Sequence, residues 1–158
     1  MRRIHTLFVG STLALASLMG AGTSHAQGDA ERNDVTTGVL SVRLLELRNN
    51  SGQIGCGLWS SETGFPKDRS VASQTKWCGI ANKESQCTFD PIASGTYAVA
   101  CFHDENNNRV LDTGLFGVPT EGVVVSRTAK GFMGPPRFND AKFTFLGNAT
   151  ELRLKMGY

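Results

Sequence analysis

One stretch of the chain carries the clearest fold signal: Thr96-Tyr97-Ala98-Val99-Ala100-Cys101-Phe102-His103. Most of its residues are small, β-branched or aromatic, and the β-branched and aromatic types favour an extended strand. Because successive side chains of a strand point to opposite faces, apolar groups occupy both faces of this one. A strand that is apolar on both faces is buried on both, so we predict that it lies centrally in a sheet.

Shorter alternating segments flank this strand on both sides. Residues 39–47 and 53–60 alternate apolar and polar side chains around a turn at residues 49–52, and we expect them to form a hairpin. Residues 71–85 are ambiguous between a short strand and an irregular excursion. Further strands are predicted at residues 86–90, 123–125, 141–145 and 152–158. We therefore predict an all-β protein, an antiparallel immunoglobulin-like or transthyretin-like β-sandwich of about seven strands.

The N-terminal residues have the pattern of an export signal. Arg2-Arg3 precedes an apolar run at residues 7–19, and Ser24-His25-Ala26 offers a small-x-small cleavage site before Gln27. The alternative is a membrane anchor, but the run is shorter than the roughly 20 apolar residues of a spanning helix. We expect residues 1–26 to be a signal peptide, and the mature chain to be periplasmic or secreted without a membrane span.

The mature chain has no net charge. Removing residues 1–26 leaves 132 residues (158 − 26), with 14 Lys and Arg (16 − 2) against 14 Asp and Glu. This length fits one domain, and we assign residues 27–38 to a flexible N-terminal arm and residues 39–158 to a single β-sandwich domain. Basic runs interleaved with aromatic residues are absent from the sequence, which argues against nucleic-acid binding.

All four cysteines lie in the mature chain, at Cys56, Cys78, Cys87 and Cys101. An even number of cysteines in an exported chain indicates two disulfides, for which three pairings are possible. We prefer Cys78–Cys87, which would close a short loop, with Cys56–Cys101, which would join two core strands. Zinc binding is the alternative, but the spacing is not that of a C-x-x-C pair.

A polar stretch follows the central strand directly, at Asp104-Glu105-Asn106-Asn107-Asn108-Arg109-Val110-Leu111-Asp112. Oxygen-bearing side chains recur there at alternate positions, as in a loop that curls around Ca²⁺. The expected ligands are the side chains of Asp104, Asn106, Asn108 and Asp112 with the Val110 carbonyl. Arg109 takes the place of the template's glycine and Leu115 that of its bidentate glutamate, so we expect a weak or partial site. The alternative is a turn whose side chains hydrogen-bond its own backbone.

Other residues allow both a functional and a structural interpretation. His103, the only histidine of the mature chain, is either a general base or a packed residue at a strand end. Ser126 could complete a triad with it, although no nucleophile elbow surrounds this serine. A glycosidase-type acid pair could be drawn from four carboxylates, Asp104, Glu105, Asp112 and Glu121. Trp59 is either a platform for a ligand or a side chain packed beneath the loop around Phe65 or the N-terminal arm.

Several short motifs accompany these features: Gly95-Thr96-Tyr97-Ala98, His103-Asp104-Glu105-Asn106, Gly117-Val118-Pro119, Glu121-Gly122 and Gly134-Pro135-Pro136. Over about residues 40–158, the chain resembles the bacterial exported proteins grouped as domain-of-unknown-function family 2141. The resemblance implies an exported β-sandwich and supplies no activity. Arg109 stands where that family usually has glycine, and residues 123–127 replace a stretch that is richer in glycine and asparagine.

These observations predict a non-catalytic exported binding or interaction module, which contacts a ligand or an envelope protein through loops around residues 104–122. The sequence has no recognisable catalytic constellation, which favours binding over catalysis, and Ca²⁺ is the one cofactor expected. Two alternatives stay open. One is a carboxylate-based hydrolase of the cell envelope, and the other is a purely structural envelope protein.

Overall fold

Residues 35–158 are described by a computed structural model and form two β-sheets that share one hydrophobic core. The strands of this part of the chain are β1 (Thr37–Leu45), β2 (Gln53–Trp59), β3 (Gln74–Cys78), β4 (Ile80–Ala81), β5 (Glu84–Ala93), β6 (Gly95–Asp104), β7 (Val123–Val125), β8 (Phe143–Phe145) and β9 (Thr150–Lys155). The short helix α1 (Phe138–Ala141) precedes β8. The predicted signal peptide and most of the predicted arm lie outside the described residues.

The two sheets have the strand orders β4-β5-β1-β9 and β3-β2-β6-β7, and β8 also pairs with β6. The pairs are antiparallel except for β1 with β9, which is parallel. Backbone hydrogen bonds of 2.8 and 3.1 Å between Val123 and Gly157 join the start of β7 to the chain just beyond β9. The predicted all-β sandwich is confirmed, and β6 lies between β2 and β7 as its two apolar faces predict.

Side-chain alternation along the strands builds the core between the sheets. One sheet contributes the fully buried side chains of Leu40, Val42 and Leu44 from β1, and the other contributes those of Ile54, Cys56 and Leu58 from β2. Aromatic side chains fill the space around them, with Phe89 and Phe145 almost completely buried. The intervening residues of β1 lie nearer the surface, so its sheet has one covered face. The second face of β2 and β6 is also largely buried, with Trp59 and Ala98 almost completely or completely covered.

Two disulfides cross-link this framework. Cys56 is bonded to Cys101 at directly opposite positions of β2 and β6, with the Cα atoms 4.1 Å apart. Cys78 is bonded to Cys87 with the Cα atoms 5.6 Å apart, and this bond connects β3 of one sheet to β5 of the other. This is the pairing that we preferred from the sequence.

The predicted hairpin of residues 39–47 and 53–60 is wrong. β1 pairs with β5 and β9, whereas β2 pairs with β3 and β6, so the two strands belong to different sheets. Alternation shows which face of a strand is buried, but not which strand lies beside it. The connection between them crosses from one sheet to the other, and it buries Leu47, whose N–H donates to the Lys83 carbonyl at 3.1 Å.

The ambiguous residues 71–85 include β3 and β4. β3 is the edge strand next to β2, and β4 forms a two-residue hairpin with the start of β5 through Asn82 and Lys83, both with positive φ. Strands this short carry little periodicity, which explains the ambiguity of the sequence pattern. Among the helices of residues 35–158, none is long and apolar enough to cross a membrane.

Candidate functional site

The polar stretch after β6 forms a tight loop held by Asp104, and we call residues 104–112 the Asx loop. The Asp104 side chain is completely buried. Its Oδ1 accepts the N–H of Asn108 at 3.0 Å. Its Oδ2 accepts the N–H of Arg109 at 2.9 Å and the side-chain amide Nε2 of Gln53 at 2.8 Å. The last strand residue therefore bends the chain back towards β2, since its carboxylate collects donors from both sides.

The remaining oxygen-bearing side chains of the loop continue this pattern. Asn106 Oδ1 accepts the N–H of Asn108 at 3.0 Å, and Asn108 Oδ1 accepts the N–H of Val110 at 2.8 Å. The amide nitrogens of both asparagines donate to the Asp112 carboxylate, at 2.6 and 3.0 Å. The structure thus brings Asp104, Asn106, Asn108 and Asp112 together in a turn that is capped by its own side chains.

Arg109 adopts the left-handed conformation that the EF-hand template reserves for glycine. Its φ is 63°, a value that costs a non-glycine residue backbone free energy. Its guanidinium carbon lies 5.6 Å from the centre of the Trp77 ring, and this cation–π contact offsets part of the cost. The departure from glycine at this position therefore leaves the backbone of the loop in the shape that the motif predicts.

Glu121 is a second buried carboxylate, and sequence reasoning assigned it no part in the loop. It is only 5% exposed, and its two oxygens accept the N–H of Glu105 at 2.8 Å and the N–H of Asp112 at 3.0 Å. Glu121 therefore holds both ends of the Asx loop, at Glu105 and Asp112, against the chain that leads into β7. The pattern Thr120-Glu121-Gly122 contains no local signal of burial, because the partners are 9 and 16 residues away.

Beyond the Asx loop, the chain forms an exposed apolar tip at residues 115–118. Leu115 is 84% exposed, Phe116 is fully exposed and Val118 is 61% exposed. The tip has internal backbone order, because Gly114 N–H donates to the Val118 carbonyl at 2.8 Å and Thr113 forms a bridge with Pro119. The backbone bonds at residues 113–119 therefore keep the apolar side chains of the tip exposed to solvent.

His103 is a fully buried structural residue in this network. Its Nδ1 lies 2.7 Å from the Tyr158 hydroxyl and its Nε2 lies 2.8 Å from the Ser51 carbonyl. The carbonyl can only accept, so we assign the proton to Nε2, and the tyrosine then donates to Nδ1. The interpretation of His103 as a packed strand-end residue is confirmed.

Glu105 connects the Asx loop to the chain between β1 and β2. Its carboxylate accepts Arg48 Nε at 3.1 Å and Asn49 Nδ2 at 2.7 Å. Burial raises the pKa of the Glu105 carboxyl, but the hydrogen bonds from Arg48 and Asn49 outweigh burial and bring that pKa below its ordinary value. The Arg48 guanidinium also lies 4.6 Å from the Tyr158 ring centre, so one arginine links the loop to the C-terminal residue.

Two other candidate residues have structural partners. Ser126 is buried, its Oγ donates to the Ala141 carbonyl at 2.7 Å and accepts the N–H of Val99 at 3.0 Å, and the structure does not bring it to His103. The platform interpretation of Trp59 is wrong, because this side chain is 1% exposed. It packs edge-on against Phe65, with ring centres 5.4 Å apart, so the alternative of packing beneath the Phe65 loop is confirmed.

Binding of Ca²⁺ stays a prediction. Within residues 35–158, no three His, Cys, Asp or Glu side chains are grouped closely enough to hold a metal ion. The expected set has only two such side chains, Asp104 and Asp112, and completes its oxygen ligands with amides and a backbone carbonyl. The grouping of carboxylates therefore does not test it.

Comparison with known proteins gives one match. The family model described as "Uncharacterized protein conserved in bacteria (DUF2141)" matches residues 42–153, from within β1 to within β9. The curated proteins gave no match to the chain. The solved structures gave no match either. The matched segment covers more than two thirds of the sequence and contains the Asx loop, Glu121 and the apolar tip, so the chain belongs to the bacterial DUF2141 family.

Proposed function

We propose that the protein is an exported, non-catalytic binding module, which contacts an apolar groove on a partner protein of the cell envelope through residues 115–118. The exposure of Leu115, Phe116 and Val118 on an internally hydrogen-bonded loop carries this proposal. Exposed large apolar side chains that cluster on one surface are typical of interaction sites. A loop that is ordered before binding loses little conformational entropy when it binds.

The use of the carboxylates supports binding over hydrolysis. The carboxylate oxygens of Glu121 and Asp104 accept hydrogen bonds from backbone N–H groups, and Glu105 forms an ion pair with Arg48. These contacts hold the loop in place beneath its tip. An acid–base pair needs carboxyl groups that face a substrate across a cleft, whereas these oxygens face the protein.

Two disulfides in the described chain support export. Such bonds persist in the periplasm and outside the cell, where thiols are not kept reduced. A periplasmic or secreted location, reached after removal of residues 1–26, is therefore part of the proposal.

We further propose that Ca²⁺ binds weakly to the Asx loop and orders it. The left-handed Arg109 and the hydrogen bonds from Asn108 and Arg109 to Asp104 give the loop the course that the ion requires. The amide N–H groups of Asn106 and Asn108, which donate to the Asp112 carboxylate, would give way to bound Ca²⁺ as its partner. The ion would then stabilise the base from which the apolar tip projects.

Site-specific photo-crosslinking in the exporting bacterium tests the binding role. A photoreactive residue placed at Phe116 should give one discrete adduct, while the same residue at Leu146, which is 69% exposed in another turn, should not. The partner is then purified and titrated. Phe116→Ser should weaken its affinity at least tenfold, because the anchor residue of an interface dominates binding. Equal adducts at both positions, or equal affinity of Phe116→Ser and wild type, would overturn the proposal.

A further inference from the structure

The connection between β7 and β8 carries a second exposed apolar tip. Phe132 is 93% exposed and Met133 is 94% exposed. They are flanked by Gly131 and Gly134, and a side chain at Gly131 would overlap the Gly134 carbonyl oxygen. The two glycines therefore approach each other closely, and the turn between them projects both apolar side chains away from the domain.

Cations lie on both sides of this tip in the sequence. Residues 127–142, which we call the basic segment, contain four basic residues and one acidic residue, a net charge of +3. The cations are Arg127, Lys130, Arg137 and Lys142, and none of them forms a salt bridge within residues 35–158. Because residues 27–158 are neutral overall, the rest of that chain has a net charge of −3. The basic segment is therefore a local excess of free positive charge.

Two of the cations lie beside the tip. Lys130 and Arg137 line a shallow pocket together with Phe132, Pro135 and Asp140. Asp140 is the only carboxylate in this lining, which contains two cations. A phosphate group seated there would meet two positive side chains directly beside the apolar tip.

We propose that residues 127–142 dock the protein on the surface of a membrane that contains anionic phospholipids. Phe132 and Met133 enter the boundary between headgroups and acyl chains, and Lys130 and Arg137 contact lipid phosphates. This combination of a protruding aromatic–apolar pair with flanking cations is the chemistry of interfacial membrane binding. A flat anionic surface fits better than a protein groove, because the tip is almost fully exposed beside two cations and is free to enter a soft phase.

Each contribution has an expected size. A basic side chain near an anionic leaflet contributes about fivefold in affinity, and this contribution is screened within a Debye length. Removing both apolar side chains of the tip should weaken binding at least tenfold, because each one buries apolar surface in the bilayer. Binding should therefore need both charge and tip, and neither alone should reach wild-type affinity.

Flotation with lipid vesicles tests the inference on the oxidised protein purified after export. Vesicles of phosphatidylglycerol mixed into phosphatidylcholine should bind the protein, and vesicles of pure phosphatidylcholine should bind it at least tenfold less. Phe132→Ser/Met133→Ser and Lys130→Glu/Arg137→Glu should each lose at least tenfold on the anionic vesicles. The matched control is Leu115→Ser/Phe116→Ser, which removes the other apolar tip and should stay within twofold of wild type.

A fluorescence measurement makes the outcome independent of small changes in affinity. The tryptophan emission of Phe132→Trp should shift to the blue on anionic vesicles, while that of Phe116→Trp should not. Thermal unfolding of each variant should match wild type, because the altered side chains are largely exposed. Absence of binding to anionic vesicles at low salt, or equal losses in the variants of the two tips, would overturn the inference. Binding of an acidic protein without any binding to vesicles would overturn it as well.

Discussion

Two loops of this domain carry an exposed apolar tip, and they differ in charge and in how they are fastened. The acidic segment, residues 104–122, has four acidic residues and one basic residue, a net charge of −3, whereas the basic segment has a net charge of +3. Two carboxylates of the acidic segment, Asp104 and Glu121, are buried and accept hydrogen bonds from backbone N–H groups. The cations of the basic segment remain at the surface.

The basic segment is held by neutral contacts instead. Ser126, which directly precedes it, accepts the Val99 N–H of β6 and donates to the Ala141 carbonyl within the segment. Phe138 packs edge-on against Phe65 with ring centres 5.8 Å apart. The comparison shows two uses of charge in one fold. Buried carboxylates fix the conformation of one loop through their hydrogen bonds, while the exposed cations of the other loop are free to meet an anionic surface.

Removal of a carboxylate from each segment tests this difference most strongly. Asp104→Ala should lower the free energy of unfolding by about 3 kcal/mol, because two backbone N–H groups and the Gln53 amide lose a charged acceptor in a buried place. Asp140→Ala in the basic segment should change it by less than about 0.5 kcal/mol, since this carboxylate is exposed to water. Urea unfolding of the oxidised variants gives both values.

Equal effects of the two substitutions would contradict the distinction. Asp104→Asn provides a graded control, because the amide keeps one acceptor oxygen and replaces the other with a donor. It should fall between wild type and Asp104→Ala. If Asp104→Asn is as stable as wild type, the loop does not need a charge at this position.

The effect of Ca²⁺ on thermal stability should also distinguish the acidic segment from the basic segment. At a free Ca²⁺ concentration ten times the Kd, a site that exists only in the folded state adds about 1.4 kcal/mol, which raises Tm by about 4 °C in a domain of this size. Thermal unfolding in EDTA and in millimolar Ca²⁺ measures the change. Asp112→Asn should abolish it, whereas Phe132→Ser/Met133→Ser should retain it. The same Tm in both solutions would leave the Asx loop as a turn capped only by its own side chains.

The sequence predicted those features whose causes are local. The apolar faces of residues 96–103 predicted the central strand, and the Asx spacing predicted the tight loop. Both depend on neighbouring residues, since alternation and side-chain-to-backbone hydrogen bonds act over a few positions. The exposed tips were not predicted, because Leu115, Phe116, Phe132 and Met133 look like core residues in composition alone.

The missed features depend on residues that are distant in the sequence. The pairing of β1 with β9 brings together residues more than 100 positions apart, and no pattern within β1 specifies it. Tyr158 was predicted as a strand residue, but β9 ends at Lys155 and the tyrosine hydroxyl instead joins Arg48 and His103. Glu121 is likewise buried by backbone donors from the other arm of its loop. Such roles follow from topology, which one sequence does not display.

The ion pair between Arg48 and Glu105 gives the smallest expected effect and the one most specific to pH. Burial raises the pKa of the Glu105 carboxyl, and the hydrogen bonds from Arg48 and Asn49 lower it by more, so the folded pKa lies below the unfolded one. The folded state then binds fewer protons than the unfolded state, and the contribution is complete above about pH 4.5. It should disappear as the pH falls from there through the folded pKa.

Glu105→Gln should therefore lose stability at pH 7 and show a flatter decline in its urea midpoint between pH 5 and pH 3 than wild type. Glu151→Gln, on the outer edge of β9, should follow the wild-type curve. A Glu105→Gln curve that runs parallel to wild type would mean that the ion pair adds no measurable stability, and that Arg48 is held by the Thr120 carbonyl and the Tyr158 ring.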